Sequence, residues 1–214
     1  MKKLLLIILF AAFALCASAR QYADSAIYQG LCLKLDVGMP VFELVRSSGK
    51  VQNYEAAINL RLAQRFYPTV EGGYAMANAV RPTGHHNGQG GFARLGADVA
   101  VIKKGVSPNN LLIGLRCGGA YQHYDLAGAT ITLEDQSEVQ MDFYDQNRFD
   151  CWGEILAGCQ VQVYKNFYMG WAVRMKILFT RKTPESGALP QYVPGFGYRK
   201  NSNWGFNYYL AYKF

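Results

Sequence analysis

The segment "WGFNYYLAYKF", residues 204–214, sets Trp204, Phe206, Tyr208, Leu210, Tyr212 and Phe214 at every second position, with Gly205, Asn207, Tyr209, Ala211 and Lys213 between them. A repeat of two is the period of a β-strand, whose successive side chains point to opposite faces. The segment is therefore read as a strand with one apolar face and one face that is small or polar apart from Tyr209. A frayed terminus has no reason to carry such a pattern. The fold then turns on what the apolar face touches, a protein core or lipid.

The same period recurs along the chain. In "FYMGWAVRMKILF" (167–179), Phe167, Met169, Trp171, Val173, Met175, Ile177 and Phe179 oppose Tyr168, Gly170, Ala172, Arg174 and Lys176. Residues 151–163, 111–123, 91–101, 54–66 and 27–37 alternate in the same way, although Trp152 and Leu156 interrupt the polar face of the first. A weaker alternation at 68–77 sets Val70, Tyr74 and Met76 against Thr69, Glu71 and Gly73, which makes eight strands with the terminal one. The connections between them run long (38–53), short (around Pro68), long (78–90), fairly short (102–110), long (124–150), short (164–166) and long (180–203). Long and short connections thus fall on opposite rims, the asymmetry of outer-membrane barrels, with both ends of the mature chain on the short-turn rim.

At the other end, "MKKLLLIILFAAFALCASA" (1–19) combines Lys2 and Lys3, an apolar run from Leu4 to Leu15, and Ala17 and Ala19 in the A-x-A spacing read by a signal peptidase. Bulky Leu15 before Cys16 argues against a lipoprotein signal, so cleavage is placed after Ala19. Residues 20–214 are then one domain. No other apolar run is as long as a membrane helix, and a mean hydropathy of −0.05 suits strands whose alternation averages toward zero. Removing Lys2 and Lys3 leaves 20 basic against 15 acidic residues, without a basic run, which does not point to nucleic acid. Cys32, Cys117, Cys151 and Cys159 match no metal framework. Cys151 and Cys159 would lie about 26 Å apart on one strand at 3.3 Å per residue, so the cysteines are read as free.

The polar faces carry Glu55, Arg61, Arg65, Glu71, Arg94, Asp98, Arg116, Glu154, Arg174 and Lys176, interleaved with glycines. Such a set is tolerable only in water or in a paired polar interior. A hairpin centred on Lys165 puts Glu154 opposite Lys176, with Arg174 diagonal, and one centred on Pro68 would oppose Arg65 and Glu71. Aromatics gather near the strand ends, with Phe66, Phe167, Tyr212 and Phe214 toward the short-turn rim and Tyr54, Tyr121, Phe179 and Trp204 toward the other. Belts of this kind suit a headgroup interface.

The terminal "YYLAYKF" resembles the C-terminal signature of bacterial outer-membrane barrels, and the mature chain resembles small eight-stranded barrels of the OmpA/OmpX type. "YKNFYMGWAVRMK" (164–176) and "VPGFGYRKNSNWGFNYYLAYKF" (193–214) are similar to a domain-of-unknown-function family of Bacteroidota outer-membrane proteins. The resemblance implies an all-β, antiparallel, up-and-down transmembrane barrel in the outer membrane, with periplasmic termini. It also implies that the barrel-assembly machinery reads Tyr208, Leu210, Tyr212 and Phe214 as an assembly signal. It supplies no catalytic residue.

An eight-stranded barrel has an interior just wide enough for side chains, so the charged face is read as a salt-bridged plug, with a narrow pore for small solutes or ions as the alternative. A lipid-modifying enzyme would need a nucleophile, a histidine and an acid in reach. His85 and His86 lie in "PTGHHNGQGG" without a nearby serine, and His123 stands beside Tyr124 and Asp125, so they are read as solvated loop histidines. Ser137 and Ser202 are too distant in sequence to decide the matter. The segment 124–150 carries Asp125, Glu134, Asp135, Glu138, Asp142, Asp145 and Asp150, and its "TITLE" could prolong the barrel as a hairpin; 180–203 carries Arg181, Lys182, Arg199 and Lys200. These loops are read first as solvated loops without a ligand, with mutual pairing or contact with lipopolysaccharide phosphates as the alternatives. The expected role is structural or surface interaction, without catalysis, cofactor or metal. The expected partners are outer-membrane lipids, lipopolysaccharide and an unidentified surface or periplasmic protein.

Overall fold

The computed structural model describes residues 28–38, 41, 51–62, 65–81, 84–101, 109–132, 138–180 and 189–214, so the proposed signal segment lies outside the described residues. Eight long strands follow the alternating segments: β1 (Tyr28–Asp36), β2 (Val51–Leu62), β3 (Phe66–Arg81), β4 (Gly84–Ala100), β5 (Asn110–Thr132), β6 (Glu138–Tyr164), β7 (Phe167–Leu178) and β10 (Ser202–Lys213). Two short strands, β8 (Tyr192–Val193) and β9 (Gly197–Tyr198), pair only with each other. The long strands close in the order β1-β10-β7-β6-β5-β4-β3-β2, with every neighbour antiparallel. Closure leaves no free edge at the height where all eight strands are present, which is what a hydrocarbon surrounding demands of a sheet.

Each strand turns its alternating apolar residues outward. Leu95, Leu115, Ile155, Ile58, Val173 and Phe206 stand exposed around the waist. Tyr54, Tyr121, Phe179 and Trp204 ring one end, and Phe167 and Phe214 stand exposed at the other. Tyr212 bridges those two, its ring 5.0 Å from Phe167 and 4.9 Å from Phe214. A continuous apolar belt with charges inside is the reverse of a water-soluble barrel. The molecule is a transmembrane eight-stranded β-barrel.

Two of the expected long loops are shorter than the sequence suggests. Residues 78–81 and 84–90 belong to β3 and β4, and 124–132 and 138–150 belong to β5 and β6. A membrane crossing needs about 9–11 residues per strand, whereas β5 and β6 have 23 and 27. Beyond Val51↔Ala77 on one side and Trp152↔Leu178 on the other, β3 to β6 continue as a four-stranded sheet past the rim. The high polarity that made these segments look like loops follows from their position, because strands outside the lipid have no need of an apolar face.

One turn is also displaced. Leu62 pairs with Phe66, so the β2–β3 turn precedes Pro68, which sits inside β3. The β2–β3 ladder skips from Asn59↔Thr69 to Leu62↔Phe66, and proline, with no N–H to give, falls in that gap. The seam between first and last strands is the shortest ladder of the wall, spanning only Cys32↔Lys213 to Asp36↔Tyr209.

Depth should govern the cost of charge on the outer face. Leu115→Arg at the waist is expected to destabilise the barrel by about 2–4 kcal/mol in lipid vesicles, and Tyr121→Arg in the aromatic ring by about 0–1 kcal/mol. Urea unfolding followed by tryptophan fluorescence measures both, and equal costs at the two heights would refute the assignment of the belt.

Candidate functional site

The strands bring their polar positions together on the barrel axis, where space is scarce. Glu71 of β3 is the hub: its carboxylate accepts from Arg94 Nη1 at 2.9 Å, Arg116 Nε at 2.9 Å and Arg174 Nη1 at 2.6 Å. Glu55 also faces Arg94, at 2.7 Å, and Arg174, at 3.5 Å. Glu154 stands 3.0 Å from Arg174 Nη1 and 2.9 Å from Arg94 Nε, and accepts from Trp152 Nε1 at 2.6 Å. Asp98 holds Arg116 at 2.7 Å. Residues from β2, β3, β4, β5, β6 and β7 are thus joined in one charge-assisted network. Arg suits the task because its planar fork serves several carboxylates at once.

Glu154 is opposite Lys176 in the β6–β7 ladder and diagonal to Arg174. The Lys176 ammonium nevertheless goes elsewhere. It donates at 2.6 Å to the carbonyl of Gly195, which also accepts from Arg94 Nη2 at 2.8 Å. Gly195 belongs to the connection between β7 and β10, read from the sequence as part of an external loop. In the structure residues 190–196 turn back into the barrel mouth, and all but Gln191 are buried.

This segment forms a cork. Val193 and Phe196 pack with Phe92, Ala120, Trp152 and Leu178, and Tyr192 packs with Val51, Ala75 and Ala77, so it reaches β2 through β7. Trp152 is fully buried and meets Phe196 edge-on at 5.9 Å. "VPGF" makes the tip: Phe196 N donates to Val193 O at 3.1 Å, with Pro194 and Gly195 between. Gly195 has φ +72°, and a Cβ there would lie 2.5 Å from the Phe92 ring. Proline before a positive-φ glycine is the signature of a type II turn. Trp152, Phe92 and Leu178, which interrupt the polar inner face in sequence, are the seat of the cork.

A second polar cluster fastens the cork. The buried carboxylate of Asp150 accepts from Arg199 Nη1 and Nη2 at 3.0 and 2.9 Å, from Thr180 Oγ1 at 2.6 Å, from Arg148 Nε at 3.0 Å and from Gln122 at 3.1 Å. Arg199 also donates to Thr180 O at 2.8 Å. Asp150 and Arg199 were placed in an acidic and a basic loop, and they meet as an ion pair. Below the hub, Lys34 lies 4.6 Å over the Tyr209 ring and borders a cavity of about 40 Å³ with Asp36, Asp98 and Asn207, room for roughly three waters. Asn207 donates to Asp36.

Of the ten charged positions read from sequence, the structure buries Glu55, Arg61, Glu71, Arg94, Asp98, Arg116, Glu154, Arg174 and Lys176. Arg65 differs: it sits at the β2–β3 turn, donates to Val101 O at 3.2 Å and does not face Glu71, because that turn is not centred on Pro68. Arg61 is buried away from the hub, near the short-turn rim. Tyr208, Leu210, Tyr212 and Phe214 lie on the outward side of β10, with Leu210 and Phe214 exposed.

The histidines are not all solvated. His85 and His86 lie in strand β4, and His86 is fully buried beside Tyr124, with its ring centroid 5.9 Å away. It faces inward in the sheet beyond the rim, where burial, reinforced by neighbouring His85, pushes its pKa down to about 4. His123 stands half-exposed, 3.5 Å from Asp145. Ser202 is exposed on β10, and Ser137 lies outside the described residues. Among the described residues no cluster of histidine, cysteine and carboxylate could hold a metal ion. Cys32, Cys117, Cys151 and Cys159 are unbridged.

No curated protein matches the chain. Among solved structures it is similar to the N-terminal β-barrel domain of Pseudomonas aeruginosa OprF, at 11% identity over 87% of this chain and 99% of that one, with a TM-score of 0.40. It is similar to Neisserial surface protein A at 13% identity, over 87% and 96%, with a TM-score of 0.41. Ail, the attachment invasion locus protein of Yersinia pestis, gives 10% identity, 86% and 94%, and a TM-score of 0.40. One family model matches residues 1–214 from end to end, and the chain belongs to that family, described as a domain of unknown function (DUF6048).

Proposed function

We propose that the protein is an outer-membrane barrel with a plugged interior, which works in membrane structure or surface interaction and neither conducts solutes nor catalyses a reaction. The observation that carries this reading is the double filling of the bore. The cork spans the wall from β2 to β7, and the Glu71 network fills the same bore directly beneath it, with the Gly195 carbonyl held by both Arg94 and Lys176. Eight strands leave little room around such contents. On this reading the chain ends face the periplasm, and the sheet of β3 to β6 beyond the rim is the outer surface offered to an unidentified partner. Lipids and lipopolysaccharide meet the apolar belt. The barrel-assembly machinery reads Tyr208, Leu210, Tyr212 and Phe214 on the outward side of β10.

Purified protein in planar bilayers is expected to give no porin-sized conductance steps. Stable, ion-selective steps would reject the plug in favour of the narrow pore. The assembly reading is tested apart from the fold: Phe214→Ser should slow insertion in cells while refolding into detergent stays close to wild type. Equal loss in both settings would make Phe214 a stability residue only. The non-enzyme reading expects lipid A and phospholipids of identical acyl composition, by mass spectrometry, in cells with and without the gene. A reproducible acyl gain or loss would overturn it.

A further inference from the structure

The short-turn end of the bore carries a polar pocket that the hub and the cork do not use. It is lined by Arg61, Lys213, Asn59, Asn110, Gln160 and Tyr67, among others, with a volume of about 20 Å³. Among the described residues it is lined by two cations and no side-chain carboxylate. Of the four buried arginines among the described residues, Arg94, Arg116 and Arg174 each contact carboxylates. Arg61, only 9% exposed, has none: its guanidinium lies 5.9 Å over the Tyr67 ring, and its Nε has no acceptor. A buried guanidinium without an anion is strongly unfavourable, and among the described residues no carboxylate supplies the counter-charge that Arg61 requires.

The rest of the lining is arranged around that missing charge. Asn110 Nδ2 donates to the Tyr67 hydroxyl at 3.4 Å, which leaves the phenolic proton free to point at another acceptor. Gly30 has φ +127°, and a Cβ there would lie 2.9 Å from Lys213 Cε, so the glycine clears the path by which the lysine stem reaches the pocket. Asn59 is almost fully buried, with Oδ1 unsatisfied. Two cations and a hydroxyl donor beside one orphan acceptor fit a protonated phosphate better than a carboxylate, because phosphate brings its own O–H for Asn59.

We infer that this pocket binds a phosphate group, held by Arg61, Lys213 and Tyr67, delivered as free phosphate or as the head of a lipid at the rim. The enclosed space holds about one to two waters, so it receives phosphate oxygens presented at the rim and has no room for a sugar. This inference does not depend on whether the upper half of the bore conducts.

Full-chain protein refolded in maltoside micelles, with folding checked by migration of the unheated band, is titrated calorimetrically with inorganic phosphate at constant ionic strength. One saturable site is expected, with binding at least tenfold weaker in Arg61→Gln and in Lys213→Gln and unchanged in Lys200→Gln, exposed at the far end. Sulfate, which carries no proton at neutral pH, should bind more weakly than phosphate. Should Arg61→Gln fail to fold, Lys213→Gln at the rim carries the comparison. Phosphatidic acid, with diacylglycerol as control, distinguishes the sources: competition with inorganic phosphate identifies a lipid head group, and its absence identifies free phosphate. Lack of saturable phosphate binding by the wild type overturns the inference, as does binding that survives both substitutions.

Discussion

Glu71 receives three guanidiniums, and the barrel is arranged so that it can. A wall whose outer face is apolar has only its inner face on which to place charge, and eight strands leave that face no bulk water. The ions of the hub are therefore matched to one another, while Lys176 takes a backbone carbonyl and Arg61 lies apart near the short-turn rim. Removing one partner of such a buried pair costs about 3–5 kcal/mol, whereas the intact pair adds little stability over well-packed apolar residues. The network is better understood as fixing register and shape than as a source of stability: Arg94, Arg116 and Arg174 meet on one carboxylate only if β3, β4, β5 and β7 hold their present stagger.

The cork solves a different problem with the same means. Its apolar residues need a dry seat, which Phe92, Trp152 and Leu178 supply, and its backbone needs hydrogen-bond partners, because a carbonyl inside a barrel is as far from water as one inside a core. Gly195 lies where the two needs meet. Its missing side chain lets Phe92 approach, and its carbonyl accepts one hydrogen bond each from Arg94 and Lys176. The apolar seat, the turn and the charged hub are thereby continuous, and Asp150 with Arg199 fixes the outer end.

What could be read in advance follows from how far each signal reaches along the chain. The opposition of Glu154 and Lys176 was legible because a tight turn at Lys165 fixes the count on both arms. The Arg65–Glu71 pair was misplaced because Pro68 looks like a turn, whereas it occupies a gap in the β2–β3 ladder. The meeting of Glu71 with Arg174, 103 residues apart, depends on closure and leaves no local trace. Alternation identifies strands wherever they face lipid, and it fades in the sheet beyond the rim, where 78–90 and 124–150 passed for loops. The cork announced itself only through "VPGF" between aromatic residues, a turn signature that says nothing of where the turn will be buried.

The short seam between β1 and β10 is tied by the chain itself to the filling of the bore. Cork and final strand belong to the same stretch of chain, since residues 190–198 lie between β7 and β10. The wall from β2 to β7 can pair without them, but the last ladder, Cys32 to Asp36 against Tyr209 to Lys213, completes the enclosure. The shortest ladder of the wall and the contents of its bore are therefore coupled through residues 199–201, so a shift of either is passed to the other.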